Sequence, residues 1–465
     1  MPGLTYRMVV EHDPMRTIHI LRYSPKAGVA TLTPALASKT VYEAAPAGAP
    51  DTKGRNTTSQ IARQYDAIAA VNADYFPFTG DPSGLMVRDG TLISLPNTKR
   101  SAFAWGPNGA MVNRSAFFAT VSRAGEGPSG ARLFSIDALN EECPLNRIAL
   151  NLPVAGRVLA KAPNAMALIK LDSDRLPPST EMGASVVAVV PDQDSLQIPA
   201  GQAVLVGQGD RAPLIRSLQP GQKLTIRMET SGFGWERYDS AVGGGPRLLR
   251  NGDVDVPLRE EGFAASHGDV RHPRTAIGVT RTGDLVLMVV DGRQAQSVGA
   301  TLVETAEIMR REGCVEALNL DGGGSSAMSL LGLTMNKPSD PGGERAVANA
   351  LVFRANRPAT TDEKLRLRLP ARIVAGRSAR AEILNAANTP VPNAEILWSL
   401  AGPAWIDGGG TIHGLSGGTA TLQAYVRGKT LTGRIQVTGK VAAPIGPDPS
   451  DAPAKRPVAS GADPA

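Results

Sequence analysis

Hydrophobic and polar residues alternate through the first 60 residues, in segments such as YRMVV and RTIHILRY. Successive side chains of a strand point to opposite faces, so this pattern predicts short strands separated by Pro and Gly turns. From about residue 115 to about residue 240, the segments SVVAVV, QAVLVG and KLTIRM continue the strand-rich pattern. No acid pair or histidine cluster stands out there, and we expect either scaffold or an inserted subdomain.

Two segments carry a helical period instead. A helix is predicted over TTSQIARQYDAIAAV, with an N-cap at Thr57, Thr58 or Ser59, and a second over TLVETAEIMRREG, which ends at Gly313. The run GDLVLMVV before the second helix is typical of a buried strand. We therefore predict an α+β main domain of residues 1–356, with mixed β-sheets and packed helices.

Beyond about residue 362 the chain changes to short alternating segments such as KLRLRL, EILWSL and GRIQVTG, with turns every eight to twelve residues. This spacing favours a small all-β sandwich over residues 363–440. Residues 441–465 are rich in Pro and Ala and have little to bury, so a disordered tail is predicted.

Composition excludes several classes of function. The net charge is +6 without a run of Lys and Arg, and aromatic residues make up 4%, which argues against a nucleic-acid-binding protein. No apolar run reaches the roughly 18 residues of a membrane-spanning helix. The two cysteines lack metal-ligand spacing, and the N-terminus lacks the features of a signal peptide.

Acidic residues follow three predicted strands: Asp74 one residue after IAAVN, Asp291 directly after LVLMVV and Asp321 directly after EALNL. Loops on a rigid scaffold often carry chemistry, although an Asp that caps its own turn explains any one of the three equally well. Three such acids, with Arg274 and Arg293 nearby in sequence, favour a functional site.

The glycines of NLDGGGSSAM indicate either a sharp turn or the close approach of a ligand to bare backbone. GGGSSA also fits a dinucleotide-binding fingerprint, but no second strand with a downstream acid follows it. GLSGG fits a nucleophile elbow, yet it lies between strands of the predicted sandwich, so Ser416 is not expected to be a nucleophile. His267 and His272 are five residues apart before a proline and predict no metal site.

The segments AVNADYF, GGGPRLL, PRTAIGV, VDGR, NLDGGGSSAM and ERAVANAL, in this order, closely resemble the phosphodiester glycosidase family. The resemblance covers roughly residues 40 to 355, and VDGR followed by NLDGGGSS is its most specific part. The family has two glycines where this chain has Ala73 and Asp74. Residues 363–440 resemble bacterial immunoglobulin-like domains, most clearly in GLSGGTATLQAYV.

The resemblance implies hydrolysis of the bond between the anomeric carbon of an N-acetylglucosamine-type sugar and a phosphodiester oxygen. An oxocarbenium-like transition state needs a nearby carboxylate. We expect Asp321 to be that acid and Asp291 its partner. Glu304 is a third candidate, which the polar face of a helix would also explain. Which acid is the nucleophile and which the base stays open.

A phosphate leaving group needs its charge neutralised, for which arginine side chains and glycine N–H groups are suited. Asparagines would hold sugar hydroxyls. The predicted substrate-binding residues are Asn72, Asp74, Arg274, Arg293, Asn319, Gly322, Gly323, Gly324 and Ser325.

Two other interpretations stay open. The chain could be a hydrolase or lyase acting on a non-phosphorylated or acidic envelope polysaccharide, or a carbohydrate-binding surface protein without turnover. In each case the expected partner is a glycan or sugar phosphodiester, together with a cell-surface polysaccharide bound through the β-sandwich. No cofactor is predicted, and a requirement for a divalent metal stays open. By resemblance, we expect a bacterial protein exported to the periplasm, the envelope or the medium.

Overall fold

The structure is a computed structural model that describes residues 1, 3–42, 54–77, 79–125, 132–356 and 363–440. The predicted α+β class is wrong, because strands make up 49% and helices 10%. With 50 glycines and 36 prolines, turns recur too often to leave long uninterrupted helical segments. The predicted tail of residues 441–465 lies outside the described residues. The α-helices of the described residues are Thr58–Gln64, Ala212–Arg216, Ala265–Asp269 and Leu302–Arg311.

The two helices predicted from the sequence begin where their caps indicate. The Thr57 hydroxyl accepts from the Gln60 N–H and the Thr301 hydroxyl from the Glu304 N–H, each in a reciprocal capping box. Such a cap contributes about 1 kcal/mol. The first helix is shorter than predicted, because it ends at Gln64 and the chain turns into a strand. One-turn 3₁₀ helices lie at Pro25–Ala27, Pro153–Ala155, Gly209–Arg211, Gly323–Ser325 and Asn393–Glu395.

Sheet A has seven strands, and two of the four predicted acids, Asp291 and Asp321, follow its strands. Its strands, in spatial order, are Leu4–His12, Met15–Tyr23, Leu285–Val290, Arg274–Thr280, Cys314–Asn319, Arg247–Arg250 and Asp253–Val254. The strands that precede Asp291 and Asp321 are both antiparallel to the strand between them, which begins at Arg274. The two aspartates and Arg274 therefore lie at the same edge of the sheet.

Sheet B faces sheet A across the main core. Its strands are Leu333–Thr334, Met328–Leu330, Ala69–Asn72, Asn349–Ala355 and Ala30–Leu36. Leu287 and Leu318 of sheet A and Val71, Leu351 and Phe353 of sheet B are fully buried in one cluster. The loop that begins at Asp321 joins the last residue of sheet A to Met328 of sheet B, so it spans the edge of this core.

Sheet C has five strands, which are Thr91–Ser94, Met86–Arg88, Ser240–Gly243, Ser101–Gly106 and Gly109–Arg114. The inner residues of this sheet join the core between sheets A and B.

Sheet D has eight strands from the segment for which scaffold or a subdomain is predicted. They are Arg132–Ser135, Phe117–Arg123, Lys223–Thr230, Thr180–Pro191, Asn164–Leu171, Ala203–Gln208, Ile148–Asn151 and Ala138–Leu139. Arg157–Leu159 and Ser195–Gln197 form a separate pair.

The described residues 363–440 form a C-terminal module with its own apolar core. Its four-stranded sheet contains Arg372–Val374, Lys429–Lys440, Ser416–Val426 and Leu397–Ala401. Its other strands are Ser378–Arg380, Thr411–Gly414 and Ala404–Ile406 in one sheet and the pair Arg366–Arg368 and Glu382–Leu384. The Ser399 hydroxyl donates to the Leu330 carbonyl at 3.0 Å, which ties the module to sheet B. Its assignment as immunoglobulin-like stays a prediction.

Candidate functional site

Asp321 lies where sheets A and B meet, and backbone contacts to both sheets fix its position. Its N–H donates to the Ala73 carbonyl at 2.8 Å. Its carbonyl accepts from the Asn72 side-chain amide at 2.7 Å. The other end of that amide accepts from the Thr275 hydroxyl at 2.8 Å and from the Ala327 N–H at 3.0 Å. Asn72 is fully buried, so its hydrogen bond to the Asp321 carbonyl holds the backbone of Asp321 in place.

Asn319 is also buried and its amide is committed to the protein. Its Nδ2 donates to the carbonyls of Gly245 and Leu320, each at 2.9 Å, and lies 3.1 Å from the Tyr75 hydroxyl. Its Oδ1 has no hydrogen-bond partner among the described residues. Both asparagines predicted to hold sugar hydroxyls therefore donate hydrogen bonds to backbone carbonyls at or next to Asp321.

The three glycines after Asp321 allow close packing of the loop against its surroundings. A Cβ on Gly322 would lie 2.9 Å from the Pro273 carbonyl, and one on Gly323 would lie 3.2 Å from an Arg293 guanidinium nitrogen. A Cβ on Gly324 would collide with the ion pair between Asp340 and Arg345. Gly323 also has a φ of 62°, in the left-handed region that favours glycine.

Some N–H groups of this loop are used within the protein. The Gly323 N–H donates to the Pro273 carbonyl at 2.9 Å. The Ser325 side chain is buried, and it and the Gly322 N–H both act to lower the pKa of the Asp321 carboxyl. The loop thus orients an acid while two arginine side chains lie against its outer surface.

The Asp321 carboxyl lies in an environment that favours its neutral form. Burial raises its pKa to about 6, and the hydrogen bond from Ser325 and the positive charges of Arg345 and Arg100 hold it from rising further. An acid whose pKa lies near neutrality can exchange a proton or act as a carboxylate within a narrow pH range. Acids whose pKa is perturbed by burial and by nearby charges are typical of functional sites.

Asp74, at the position where the family has glycine, is a second acid with a raised pKa. Burial raises the pKa of Asp74 to about 7, opposed by the Tyr75 N–H and Arg100 and assisted by the charge of Asp321. Its Oδ1 accepts from the Tyr75 N–H at 2.8 Å, and its own N–H donates to the Asn349 side chain at 2.7 Å. The side chain fits only because Gly84 and Gly243 leave room beside its carboxyl group.

Tyr75, Phe263 and His267 form an aromatic wall beside Asp321. The Phe263 and His267 rings stack with centroids 5.0 Å apart, and the Arg100 guanidinium lies 4.8 Å from the Tyr75 centroid and 4.9 Å from that of Phe263. The Tyr75 hydroxyl donates to the Gly245 carbonyl at 2.9 Å and lies 3.4 Å from His267 Nε2. Burial and the charge of Arg274 lower the pKa of His267 to about 4, so the ring is neutral near pH 7.

Arg274 and Arg293, the two predicted phosphate ligands, have different surroundings. Arg274 is buried, and its guanidinium donates to the carbonyls of Ala300, His267 and Val270, each at 2.9 Å. Burial lowers the pKa of Arg274 to about 10. Arg293 is exposed, has a φ of 60° and lies 3.3 Å from His272 Nδ1, beside Gly323.

Asp291 lies at the same edge of sheet A but belongs to a different side-chain cluster. Its Oδ1 accepts from the Lys337 N–H at 3.0 Å and from the Asn336 amide at 3.2 Å. Its Oδ2 lies 3.5 Å from His19 Nε2, and His19 Nδ1 is 2.8 Å from the Tyr6 hydroxyl. These contacts hold the segment that leads from sheet B toward Asp340.

Glu304, the third predicted acid, completes the cap of its helix and receives a two-pronged contact from Arg271. The Arg271 hydrogen bond lowers the pKa of Glu304 to about 2. Among the described residues, the Glu304 carboxylate pairs with Arg16 and Arg271 and forms no hydrogen bond or ion pair with Asp321. Its surroundings are those of a helix cap.

The structure thus brings Asp321, Asp74, Arg293 and the glycine loop together. It gives Asp291 and Glu304 other partners. Sequence reasoning missed Arg100, Arg345, Tyr75, Phe263 and His267. Of these five, only Arg345 and Tyr75 could have been found from the sequence, since they lie within the family motifs ERAVANAL and AVNADYF.

The described residues contain no group of three or more His, Cys, Asp or Glu that could hold a metal ion. No helix among them has the length and apolar character needed to cross a membrane.

Solved structures with a similar fold support the mostly β architecture. A hypothetical protein from Synechocystis has a TM-score of 0.60 and 23% identity, over 76% of this chain and 61% of that chain. A candidate exported protein from Burkholderia pseudomallei K96243 has a TM-score of 0.57 and 24% identity, over 73% of this chain and 74% of that chain. At these identities the likeness concerns the fold alone.

Sequence comparisons find relatives that match short parts of this chain. An SPbeta prophage-derived uncharacterized protein of Bacillus subtilis (strain 168) is 46% identical over 85 residues, which are 18% of this chain and 13% of that protein. N-acetylglucosamine-1-phosphodiester alpha-N-acetylglucosaminidase of Mus musculus is 37% identical over 102 residues, 20% of each chain. The match therefore spans at most about a fifth of these relatives.

The sequence profile of the phosphodiester glycosidase family matches residues 180–354. The matched segment begins in sheet D and contains Arg274, Arg293, Asp321 and Arg345, whereas Asp74 and Arg100 precede it. The resemblance drawn from the motifs is confirmed. Residues 180–354 of this chain are therefore similar to the phosphodiester glycosidase family.

Proposed function

We propose that this protein hydrolyses a sugar-1-phosphodiester at the anomeric carbon, with Asp321 as the acid nearest the reacting centre. The observation that carries the proposal is the Asp321 carboxyl itself, which is raised in pKa and surrounded by cationic side chains next to an aromatic wall. Family membership supplies the reaction class, and the relatives named for N-acetylglucosamine suggest that sugar.

Asp321 suits the role because hydrogen bonds of its backbone with Asn72 and Ala73 fix its position. As a carboxylate it would stabilise positive charge developing at the anomeric carbon, as nucleophile or as base. Its pKa of about 6 leaves it mostly ionised at neutral pH, since about nine molecules in ten are ionised one unit above the pKa. Preorganised charge of this kind requires little rearrangement in the transition state.

The leaving phosphate monoester is a weak base, so its departure depends on charge neutralisation more than on protonation. We infer that Arg100, Arg293 and Arg345 supply this charge. Arg345 and Arg100 act electrostatically on Asp321, and Arg293 lies beside Gly323. Planar guanidinium groups bind phosphate oxygens in pairs, which also fixes the orientation of the substrate.

We assign the remaining predicted residues to positioning. Arg274 holds the carbonyls of the segment that contains His267, and Asn72 holds Asp321. Asp291 anchors the segment at Lys337. Asp74 fixes Tyr75 through its backbone N–H, and so the aromatic wall on which the Arg100 guanidinium lies. The pKa of about 7 for Asp74 makes this contact sensitive to pH.

The proposal is tested by turnover of two substrates that share one sugar. N-acetylglucosamine-1-phosphodiester and a phosphate-free glycoside of N-acetylglucosamine are each incubated with the wild type and with Asp321→Asn. We expect turnover of the phosphodiester alone and its loss in the variant. Equal turnover of both substrates would favour a hydrolase or lyase of non-phosphorylated polysaccharide. Binding across a glycan panel with no turnover would favour a carbohydrate-binding protein.

We also propose that the protein acts outside the cytoplasm, in the envelope or beyond it. The proposal follows from the resemblance to exported proteins and to surface-associated immunoglobulin-like modules, and the fold is shared with a candidate exported protein. Cell fractionation followed by mass spectrometry of the native N-terminus tests it. Recovery of the protein in the cytoplasmic fraction alone would contradict it.

A further inference from the structure

A cavity of about 670 Å³ separates the main domain from the C-terminal module. Its volume lies in the range of small-ligand sites, roughly 300 to 1,000 Å³. It does not include Asp321 in its lining. On the side of the main domain it is lined by Tyr6, His19, Asp291 and Lys337, and on the side of the module by Leu400, Trp405 and Ile406.

The polar wall of this cavity contains a gap in its hydrogen bonding, by which we mean the space beside His19 Nε2 and Asp291 Oδ2. His19 is 2% exposed, and its Nε2 has no hydrogen-bond partner among the described residues. The nearest acceptor is Asp291 Oδ2 at 3.5 Å, which is too long for a strong bond. Tyr6 holds the other ring nitrogen at 2.8 Å, so the ring is fixed in orientation. A buried polar atom without a partner is costly, and a ligand hydroxyl would remove the cost.

The chemistry of the gap matches a hydroxyl group. With the Tyr6 hydroxyl donating to His19 Nδ1, the Nε2–H becomes a donor. A hydroxyl between the two side chains accepts from this N–H and donates to the Asp291 carboxylate. One group then satisfies both side chains, which neither an apolar ligand nor an anion could do. A ligand that carries a hydroxyl group therefore fits this position.

The opposite wall of the cavity requires an apolar surface on the same ligand. Trp405 is stacked on His413 with centroids 3.9 Å apart and planes 8° apart, which holds the indole rigid. Its Nε1 also has no hydrogen-bond partner among the described residues. Leu400 and Ile406 extend this wall. A pyranose ring has hydroxyls around its edge and apolar C–H groups on its faces, and so it fits between the two walls.

We propose that the cavity between the main domain and the C-terminal module is a second sugar-binding site, in which His19 and Asp291 hold a pyranose hydroxyl and Trp405 packs on the ring. The site is separate from Asp321 and does not depend on the proposed hydrolysis. It would retain a glycan chain near the enzyme, and its two walls bring the module and the main domain into one binding surface.

The test uses methyl glycosides of N-acetylglucosamine, glucose and mannose, with binding followed by saturation-transfer NMR and calorimetry. Measurements in the Asp321→Asn background remove the contribution of turnover. We expect at least one glycoside to bind this protein. Trp405→Ala should weaken binding about tenfold through loss of ring packing, and Ala401→Trp, which fills the cavity, should abolish it.

Val374→Trp is the matched control, because Val374 is 54% exposed on the same module and does not line the cavity. It should leave binding unchanged. Thermal unfolding of each variant shows that the fold is kept. The proposal is overturned when no glycoside binds, or when Trp405→Ala and Ala401→Trp both leave the affinity of every bound glycoside unchanged. Hydrolysis of a small phosphodiester should be the same in wild type and Ala401→Trp, which separates this site from the proposed active site.

Discussion

Asp291 and Asp321 occupy equivalent positions in sequence and fold, yet their surroundings differ. Each follows a buried strand of sheet A, each precedes glycine, and each lies at the same edge of the sheet. Asp291 accepts hydrogen bonds from the Lys337 backbone N–H and the Asn336 side-chain amide. Burial raises the pKa of Asp321 to about 6, and cations lie around it.

The contrast between Asp291 and Asp321 shows that an aspartate at the end of a strand can have a structural or a chemical role. A carboxylate that accepts hydrogen bonds from a neighbouring segment fixes the fold, because those bonds favour one arrangement of that segment. A carboxyl that is buried near cationic side chains, and whose pKa is raised toward neutrality, keeps its capacity for proton transfer. We infer that the two aspartates divide these tasks, and the following predictions bear on that division.

The largest expected effect separates the two acids by activity. Asp321→Asn should lower kcat/KM on N-acetylglucosamine-1-phosphodiester about 1,000-fold, since a positioned acid or base contributes roughly 100- to 10,000-fold. Asp291→Asn keeps the size of the side chain and should lower kcat/KM less than about tenfold. Steady-state kinetics of both variants at the same pH provide the measurement.

Circular dichroism and thermal unfolding serve as controls for this pair, because a variant that has unfolded would lose activity for another reason. Should Asp291→Asn lose as much activity as Asp321→Asn while remaining folded, the two aspartates would act as a catalytic pair. That result would restore the role that the sequence predicts for Asp291 and contradict the division proposed here.

The second prediction concerns the cations around Asp321. Arg100→Ala or Arg345→Ala should lower kcat/KM on the phosphodiester about 100-fold, because each removes a charge-assisted contact to the leaving phosphate. Arg271→Ala is the matched control, since Arg271 is exposed and bonds Glu304. Steady-state assays should show little change for the control. A similar loss in all three variants would indicate a general electrostatic effect.

The sequence predicted the strand ends better than the partners that the side chains meet there. The buried run of Leu285–Val290 and the cap at Thr57 are local, and both are confirmed. The assignment of mixed sheets with packed helices failed, because segment period does not reveal how many strands pair into each sheet. Arg100 could not be found, since its place over Tyr75 depends on the pairing of sheet C with the rest of the core. The catalytic assignments of Asp291 and Glu304 stay predictions.

The third prediction separates the acids by stability. Asp291→Ala should lower the free energy of unfolding by about 2 kcal/mol, because it leaves the Lys337 N–H and the Asn336 amide without an acceptor.

Asp74→Asn should instead raise the free energy of unfolding at pH 8. Asp74 binds more protons in the folded state than in the unfolded state, so stability falls as pH rises from about 4 toward 7.

Replacing Asp74 with Asn removes this fall and should raise the free energy of unfolding by about 2 kcal/mol at pH 8, with little gain at pH 4. Urea unfolding at both pH values gives the comparison. Equal effects at the two pH values would mean that Asp74 does not titrate in the folded protein with a raised pKa.

The smallest expected effect is a shift in the pH dependence of activity. If Asp321 acts as a carboxylate, kcat/KM should rise with pH through an apparent pKa of about 6, the value for its carboxyl group. The positive charge of Arg345 lowers that pKa, so Arg345→Gln should move the rising limb to higher pH by about half a unit. Asp291→Asn should leave the limb in place. A limb that moves with Asp291 and not with Arg345 would assign the titrating acid to the other cluster, because only the ionised group nearest the substrate sets this limb.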